Sequence, residues 1–215
     1  MYTVDFNGQI LNFKDTPTLP ALINEMFTDN YKIFERGLKL SLGDVVIDVG
    51  ANEGVFTVLI AKAFPGVKIV ALEPVARTFN DLLENCRTNN VEVDARQVGI
   101  GSGYSELIVS KTYSGGSTAV CTFNPEHHYM ETVNLVSLDS ILEEFPEVKL
   151  LKIDIEGMEY NALYDCKLLD RIEHCVAEFH INDKLTNQGY GMNELATFIG
   201  SKMDLIYYAQ CRMAE

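Results

Sequence analysis

The feature that most constrains the fold is a regular alternation of two kinds of apolar segment in the first half of the chain. Short β-branched runs at residues 45–50 and 68–73 are typical of strands buried on both faces of a sheet. Residues 55–64 and 76–90 have the apolar spacing of amphipathic helices, and residues 91–98 predict a third strand. This order predicts parallel strands joined by right-handed crossovers.

The same alternation returns in the second half of the chain. The predicted strands there cover residues 148–154, 172–179 and 205–212, and the predicted helices cover residues 158–164 and 192–202. The sequence therefore predicts an α/β fold, a doubly wound, mostly parallel Rossmann-like sheet with helices on both faces. Because no repeat or linker interrupts residues 1–215, we expect a single domain.

The ends of the chain leave the edge of this sheet open to two interpretations. Residues 1–42 predict a hairpin over residues 3–13, with Asn7-Gly8 as its turn, and then a helix over residues 19–40. This fold usually ends in an antiparallel hairpin, but only one strand is predicted after residue 202. Either the chain is a minimal version of the fold, or the N-terminal hairpin replaces the last strand.

An insertion at residues 104–138 separates the two halves of the alternation. Its ends predict strands, at residues 104–111 and 132–138, and a loop-like stretch lies between them. An insertion of this length inside an α/β domain is usually functional. The Gly115-Gly116 pair is typical of a hinge, and we expect it to let a lid close over the site.

Charge and cysteine content exclude several classes of function. The net charge is −14, with 17 Lys and Arg against 31 Asp and Glu, which opposes binding to nucleic acid or to an anionic membrane. No apolar run reaches the roughly 20 residues that span a bilayer, and the N-terminus does not resemble a signal peptide. The 5 scattered cysteines favour reduced thiols over a disulfide framework or a zinc knuckle. We therefore expect a cytoplasmic protein with a small neutral or cationic substrate; the oligomeric state is not predicted.

The strongest functional signal is the strand–turn–helix segment Asp48-Val-Gly50-Ala51-Asn52-Glu-Gly54. Gly50 permits a tight turn and the close approach of a ligand, and Gly54 permits close packing where the helix begins. In a doubly wound sheet, this first turn is where nucleotide-like ligands bind. Glu73 ends the next strand, where a carboxylate can accept both hydroxyls of a ribose.

The details of this turn favour S-adenosylmethionine over a dinucleotide. The NAD fingerprint G-x-G-x-x-G requires glycine at the position of Asn52, and the third glycine here falls one residue early. Asp48 and Glu53 place negative charge where a pyrophosphate would bind. S-adenosylmethionine has no phosphate and carries a sulfonium and an ammonium, which carboxylates attract. A tight structural turn with an Asp cap is the alternative that these residues leave open.

The chain resembles the FkbM family of methyltransferases from about residue 27 to residue 179. The resemblance lies in the opening segment, the turn, the second strand with its helix, and two later motifs. These are Tyr31-Lys-Ile-Phe34, Gly43-Asp-Val-Val-Ile-Asp-Val-Gly-Ala-Asn52-Glu-Gly54-Val-Phe-Thr57, Ala71-Leu-Glu-Pro74 with Asn85 and Asn89, Val136-Ser-Leu-Asp139-Ser-Ile-Leu142, and Leu151-Lys-Ile-Asp154-Ile-Glu156-Gly157-Met-Glu159. The last two motifs are the most distinctive.

The resemblance implies an O-methyltransferase that acts on sugars or secondary metabolites and converts S-adenosylmethionine to S-adenosylhomocysteine. It implies a cofactor site with Val98 and Gly99 beside the adenine and Tyr31 closing over the methionine end. The remaining implied cofactor residues are Asp48, Gly50, Ala51, Asn52, Gly54, Glu73, Pro74 and Asp154.

Methyl transfer to a hydroxyl requires alignment and removal of a proton, so a base should lie at the carboxyl edge of the sheet. Glu178 and His180 follow one predicted strand, and their spacing puts both on one side of it. His180 is the first choice as base because its unperturbed pKa of about 6.5 suits the task. Asp154 is the second, if burial raises its pKa.

Three alternatives to this mechanism remain open. Asp154, Glu178 and His180 can instead hold a divalent metal that acidifies the hydroxyl, although no metal is our first expectation. The acceptor can be an amine or a peptide, which needs no strong base. The protein can also be a module that binds the cofactor without catalysis, whereas an NAD-linked reductase is disfavoured by the glycine spacing. The sequence does not identify the acceptor.

Overall fold

A computed structural model of the protein describes residues 1–29, 34, 36–114, 117–118 and 122–213. The strands are β1 (Tyr2–Phe6), β2 (Gln9–Phe13), β3 (Val45–Val49), β4 (Lys68–Leu72), β5 (Asp94–Arg96), β6 (Gly99–Ile100), β7 (Gly103–Ser110), β8 (His128–Val136), β9 (Val148–Ile153), β10 (Ile172–Ile181) and β11 (Asp204–Arg212). The α-helices are α1 (Leu19–Asn24), α2 (Val55–Ala63), α3 (Ala76–Thr88), α4 (Leu138–Leu142), α5 (Glu159–Tyr164), α6 (Asp183–Asn187) and α7 (Met192–Gly200).

The described residues form a six-stranded sheet in the order β11-β10-β9-β3-β4-β5, and all of its pairings are parallel. Its strands are apolar on both faces: Ile47 and Val49 of β3 pack in the cluster formed by α4, α5 and α7. Val46 of the same strand packs with Phe56 and Ile60 of α2 on the other face. The predicted doubly wound α/β fold is therefore confirmed. The chain reverses direction across the sheet between β3 and β9, which is where such folds bind ligands.

The insertion contains more regular structure than the sequence predicted. Among the described residues, β6, β8 and β7 form a separate three-stranded sheet, in which β7 and β8 are antiparallel and β6 and β8 are parallel. The second predicted strand of the insertion begins at His128 rather than at residue 132, because it pairs along the whole of β7. Thr118 forms an isolated bridge with Ile108 of β7. The predicted hinge, Gly115-Gly116, lies outside the described residues.

The N-terminal hairpin is present as predicted, but it does not join the large sheet. β1 and β2 pair only with each other among the described residues, and Phe13 and Leu11 pack against the cluster that contains Leu82 and Cys86 of α3. β11 forms the edge of the large sheet by pairing in parallel with β10. The idea that the hairpin replaces the last strand is therefore wrong.

Two predicted elements are shorter in the structure. Among the described residues of the helix predicted over residues 19–40, α1 and one π-helical turn, Glu25–Asp29, are helical, while residues 38–40 are not. Gly37 has a φ of +81°, a left-handed conformation that a right-handed helix does not pass through. The third strand starts at Asp94 rather than at residue 91, since Val91 and Val93 pack against the hairpin cluster instead.

Two properties bear on the compartment. The helices in the described part of the chain are all too short or too polar to cross a membrane. Cys86, Cys166, Cys175 and Cys211 are free thiols, and Cys121 lies outside the described residues.

Candidate functional site

A cleft of ≈ 770 Å³, measured with its open mouth, lies at the carboxyl ends of β3, β4 and β9. Residues predicted for the cofactor supply much of its wall; they are Gly50, Asn52, Glu73, Pro74, Val98, Gly99 and Asp154. The insertion supplies the opposite wall, including Ser105 and Leu107 of β7 and the segment with Ser114, Ser117 and Thr118. Tyr31, predicted to close over the site, lies outside the described residues.

Glu73 lies at the inner end of the cleft with both carboxylate oxygens fixed. The backbone N–H of Asn52 donates to Oε2 at 2.9 Å, and the backbone N–H of Val75 donates to Oε1 at 2.9 Å. The Thr78 hydroxyl also donates to Oε1, at 2.7 Å. Burial raises the pKa of Glu73, and the hydrogen bonds from Thr78, Val75 and Asn52 oppose that shift. Oε1 therefore already accepts two hydrogen bonds, whereas Oε2 accepts one and has a lone pair left to accept a ligand hydroxyl.

Position 50 requires glycine for two reasons: the conformation of the turn and a close backbone contact with Asp154. The φ of Gly50 is +76°, and a Cβ at this position would lie 1.9 Å from the backbone oxygen of Asp154. The N–H groups of Gly50 and Ala51 both donate to the backbone oxygen of Leu72, at 3.0 Å. The glycine therefore lets the turn after β3 press directly against the end of β9.

Three residues predicted for the cofactor site, Asp48, Ala51 and Gly54, lie behind the wall of the cleft and support it. Asp48 is fully buried and accepts a hydrogen bond of 2.6 Å from the Thr57 hydroxyl. Gly54 begins α2 with a φ of +78°, and a Cβ there would lie 2.4 Å from Cδ1 of Leu82. The close helix–helix packing expected from this glycine is confirmed.

Lys152 is a buried cation beneath the turn. Its Nζ donates to the backbone oxygen of Gly50 at 2.6 Å and lies 3.4 Å from Oδ1 of Asp48 and 3.7 Å from Oδ2 of Asp154. Burial by itself would lower the pKa of Lys152, but the charges of Asp48 and Asp154 raise it. Lys152 therefore forms an internal ion pair with Asp48 and Asp154.

Beside the cleft, carboxylates converge on a histidine at the carboxyl ends of β9, β10 and β11. We call this group the acidic pocket; it consists of Glu25, Asp154, Glu156, Glu178, His180 and Cys211. Nε2 of His180 lies 3.4 Å from Oε2 of Glu156 and 3.8 Å from Oε1 of Glu178. The Cys211 thiol donates to Glu178 at 2.5 Å. The structure therefore brings the predicted Asp154, Glu178 and His180 together.

His180 does not have the pKa on which its prediction as a base rests. Nδ1 lies 3.0 Å from Oε1 of Glu159, a carboxylate that is fully buried. Burial by itself would lower the pKa of His180, but the hydrogen bond with Glu159 and the charges of Glu159, Glu156 and Asp154 raise it to about 10. This pKa lies well above the unperturbed value of about 6.5 on which the prediction of His180 as the base rests.

The sequence does not predict the contacts that three residues make in this region. Glu159 was quoted only as part of a motif, although it accepts hydrogen bonds from the N–H groups of Ile155 and Gly157 and holds His180. Glu25 comes from the π-helical turn, and burial and the charges of Glu178 and Asp154 raise its pKa to about 8. Thr118 donates to the backbone oxygen of Glu156 at 2.6 Å, which fixes a turn in which Glu156 has a φ of +54°. Only long-range contacts identify these roles.

Comparison with known proteins places a methyltransferase domain over most of this chain. A family model described as "Methyltransferase FkbM domain" matches residues 48–202. The 31-O-demethyl-FK506 methyltransferase FkbM of Streptomyces tacrolimicus is 29% identical over 211 residues, covering 81% of this chain and 79% of that protein. Methyltransferase 1 of Beauveria bassiana (strain ARSEF 2860) is 29% identical over 158 residues, covering 62% of this chain and 63% of that protein.

A solved structure, the precorrin-6y C5,15-methyltransferase from Geobacter metallireducens GS-15, is a more distant match. It has a TM-score of 0.42 and 18% sequence identity, and the match covers 76% of this chain and 66% of that one.

Proposed function

The chain belongs to the methyltransferase family defined by the FkbM domain, and on that premise we propose that it transfers a methyl group from S-adenosylmethionine to a hydroxyl of a small molecule. The single observation that carries the proposed cofactor is the charge of the cleft. Glu73, Asp154 and Glu156 line it, and none of its described lining residues is a Lys or Arg. Such a wall suits a ligand without phosphates that carries positive charge, and it disfavours the pyrophosphate of NAD.

The cleft contains polar and apolar residues that match the chemical groups of S-adenosylmethionine. We assign Glu73 to the ribose hydroxyls, and Val98 and Gly99 to the adenine. Asn52 has a buried Oδ1 without a hydrogen-bond partner among the described residues, and this atom is available to a ligand donor. Tyr31 is retained as a proposed contact for the methionine end.

When bound, the cofactor supplies an electrophilic methyl group on a sulfonium. In the transfer, the bond between sulfur and methyl breaks as the acceptor oxygen bonds the methyl, and sulfur keeps the electron pair. The acceptor hydroxyl loses its proton, which a carboxylate at the cleft must accept. We assign this step to Asp154, because it lines the cleft and its side chain is 24% exposed. Nζ of Lys152 lies 3.7 Å from Oδ2 of Asp154 and is the cation next to this carboxylate.

His180 and Glu178 keep a proposed catalytic role of a different kind. A protonated His180 can donate a hydrogen bond or balance charge near the acceptor, but it cannot be the base. Glu178, with its side chain 15% exposed, lies two residues earlier on β10 and places a carboxylate oxygen 3.8 Å from Nε2 of His180. The assignment of both residues rests on their place beside Asp154.

An acceptor hydroxyl is the leading choice because one relative is a 31-O-demethyl-FK506 methyltransferase. N-methylation of an amine is the second candidate, since the acidic pocket would attract an ammonium group. A module that only binds the cofactor is the third. We propose a small-molecule acceptor in the cytoplasm and no nucleic-acid partner, in line with the net charge of −14 and the free thiols.

Titration calorimetry of the full chain with S-adenosylmethionine, S-adenosylhomocysteine and NAD tests this proposal. We expect both sulfur ligands to bind and NAD not to bind. Glu73→Gln should weaken S-adenosylhomocysteine about tenfold or more, since a hydrogen bond to a charged group contributes roughly 1.5–3 kcal/mol. Glu106→Gln is the matched control on an exposed position of β7. Absence of binding by both sulfur ligands would refute the proposed cofactor.

A further inference from the structure

One nitrogen of His180 has no hydrogen bond of normal length. The side chain is 6% exposed, and Nδ1 is held by Glu159 at 3.0 Å. Nε2 faces the acidic pocket, where the nearest carboxylate oxygens lie 3.4 Å away on Glu156 and 3.8 Å away on Glu178. An N–H···O hydrogen bond is usually 2.7–3.2 Å long. A buried nitrogen is therefore aimed at carboxylates that are too far to bond it and near enough to share an ion with it.

Among the described residues around Nε2, the carboxylates of Asp154, Glu156, Glu159 and Glu178 outnumber the one lysine, Lys152. Glu25, Asp154 and Glu178 approach one another closely, and Oε1 of Glu25 is buried without a hydrogen-bond partner among the described residues. Lys152 is the neighbouring cation; its Nζ donates to Gly50 and lies between the fully buried Asp48, at 3.4 Å, and Asp154, at 3.7 Å. Carboxylates removed from water are costly unless a cation is paired with them.

We propose that the acidic pocket binds a divalent transition-metal cation through Asp154, Glu156 and Nε2 of His180. One ligand atom from each of these residues lies within 4.8 Å of the others. One imidazole nitrogen with two carboxylate oxygens is a donor set that suits Mn²⁺ or Zn²⁺. Glu178 lies next to this group and can complete the coordination.

Glu159 is the positioning residue of this site. Metal-binding histidines almost always donate their other N–H to a carboxylate or carbonyl, which fixes the tautomer and the orientation of the ring. Glu159 does this for His180, and its own oxygens are held by the N–H groups of Ile155 and Gly157. The turn after β9 therefore supplies two ligands and the group that orients the third.

The cation also has a chemical use, which rests on the proposed methyl transfer to a hydroxyl. A hydroxyl bound to a divalent cation loses its proton more readily, so a carboxylate of ordinary basicity suffices as base. Each carboxylate needs only one oxygen to bind the cation, and the second oxygen of Asp154 stays available to the proton.

The test is calorimetry of the full chain, freed of metal with EDTA, with MnCl₂ and with ZnCl₂ in two buffers of different ionisation enthalpy. We expect one saturable site and the release of a proton, because Nε2 must lose its proton to bind the cation. His180→Asn and Glu156→Gln should each weaken binding at least about tenfold, and Glu159→Gln about 10–100-fold. Electron paramagnetic resonance of bound Mn²⁺ gives an independent measure of occupancy.

The surface offers a matched control. His174 lies 3.0 Å from Glu173 and 3.1 Å from Asp204, the same residue types as in the acidic pocket, and Glu173 is paired with Lys149. Glu173→Gln should leave metal binding unchanged. No saturable binding of either cation, or equal binding by wild type, His180→Asn and Glu156→Gln, would overturn the proposed site.

Titration of the same samples with S-adenosylhomocysteine separates the two proposals. If S-adenosylhomocysteine binds but neither metal ion does, only the metal site is overturned. If a metal ion binds but S-adenosylhomocysteine does not, the proposed cofactor is overturned. Circular dichroism of each variant verifies that it is folded. Glu156→Gln is the variant that should disturb folding least, because the Glu156 side chain is 25% exposed.

Discussion

Replacing Gly50 by alanine should destabilise the protein by about 2–5 kcal/mol. A left-handed conformation at a residue with a Cβ costs roughly 1–2 kcal/mol, and the φ of Gly50 is +76°. The new Cβ would also lie 1.9 Å from the backbone oxygen of Asp154, so β9 and the turn must separate. Overpacking of this kind typically costs about 1–3 kcal/mol more.

The control for this experiment is Gly103→Ala. Gly103 has a φ of +72°, but a Cβ there would have nothing within 4 Å, so only the conformational cost of roughly 1–2 kcal/mol applies. Urea unfolding followed by circular dichroism measures both free energies of unfolding. We expect Gly50→Ala to be less stable than Gly103→Ala by about 1–3 kcal/mol. Equal losses in the two variants would refute the contact between the turn and β9.

Three further results are expected. Lys152→Met should lower the free energy of unfolding by about 3–5 kcal/mol, because it leaves the buried Asp48 unpaired, whereas Lys149→Met should lower it by at most about 1 kcal/mol. In EDTA, the free energy of unfolding of the wild type should fall by roughly 1.4 kcal/mol per pH unit between pH 7 and 9, relative to that of His180→Asn. Thr118→Val should cost about 0.5–1.5 kcal/mol and weaken binding of S-adenosylhomocysteine.

The sign of the pH effect follows from the raised pKa of His180. The folded state keeps this proton up to a pKa of about 10, whereas the unfolded chain releases it near 6.5. The stabilisation is therefore complete below pH 6.5 and is lost as the pH rises toward 10. Parallel curves for the wild type and His180→Asn would contradict the pairing with Glu159. A Lys152→Met variant as stable as Lys149→Met, or unaltered ligand affinity in Thr118→Val, would contradict the other two.

Local patterns were sufficient to predict the large sheet. β3 and β4 are continuous β-branched runs, and such runs form strands that are buried on both faces whatever lies elsewhere in the chain. Gly50 and Glu73 could be located in the cleft because the order of parallel strands fixes where their carboxyl ends lie. These predictions needed only neighbours in the sequence and the topology of the fold.

The remaining features depend on contacts between distant parts of the chain. The pKa of His180 is set by Glu159, and neither the burial nor the distance of that carboxylate is visible in a sequence. Thr118 lines the cleft because it pairs with Ile108 of β7. No alternation of apolar and polar residues around Thr118 predicts that pairing. The family resemblance implies that Asp48 lines the cofactor site, but a strand alternates its faces, and the Asp48 side chain lies against Lys152.

Asn85 of α3 and Asn89, the residue after this helix, bind the chain around β2 as a neighbouring strand would. Asn89 accepts from the backbone N–H of Asn12 at 2.9 Å and donates to its backbone oxygen at 2.7 Å, the pattern that an adjacent strand would offer to β2. Asn85 accepts from the N–H of Lys14 at 2.7 Å and donates to the backbone oxygen of Glu53 at 2.7 Å. Hydrogen bonds therefore join Asn12 to Asn89, and Lys14 through Asn85 to the turn beside the cleft. A shortened protein that begins after Phe13 would lose part of the scaffold of its ligand site, so attempts to simplify or graft this domain should keep the hairpin.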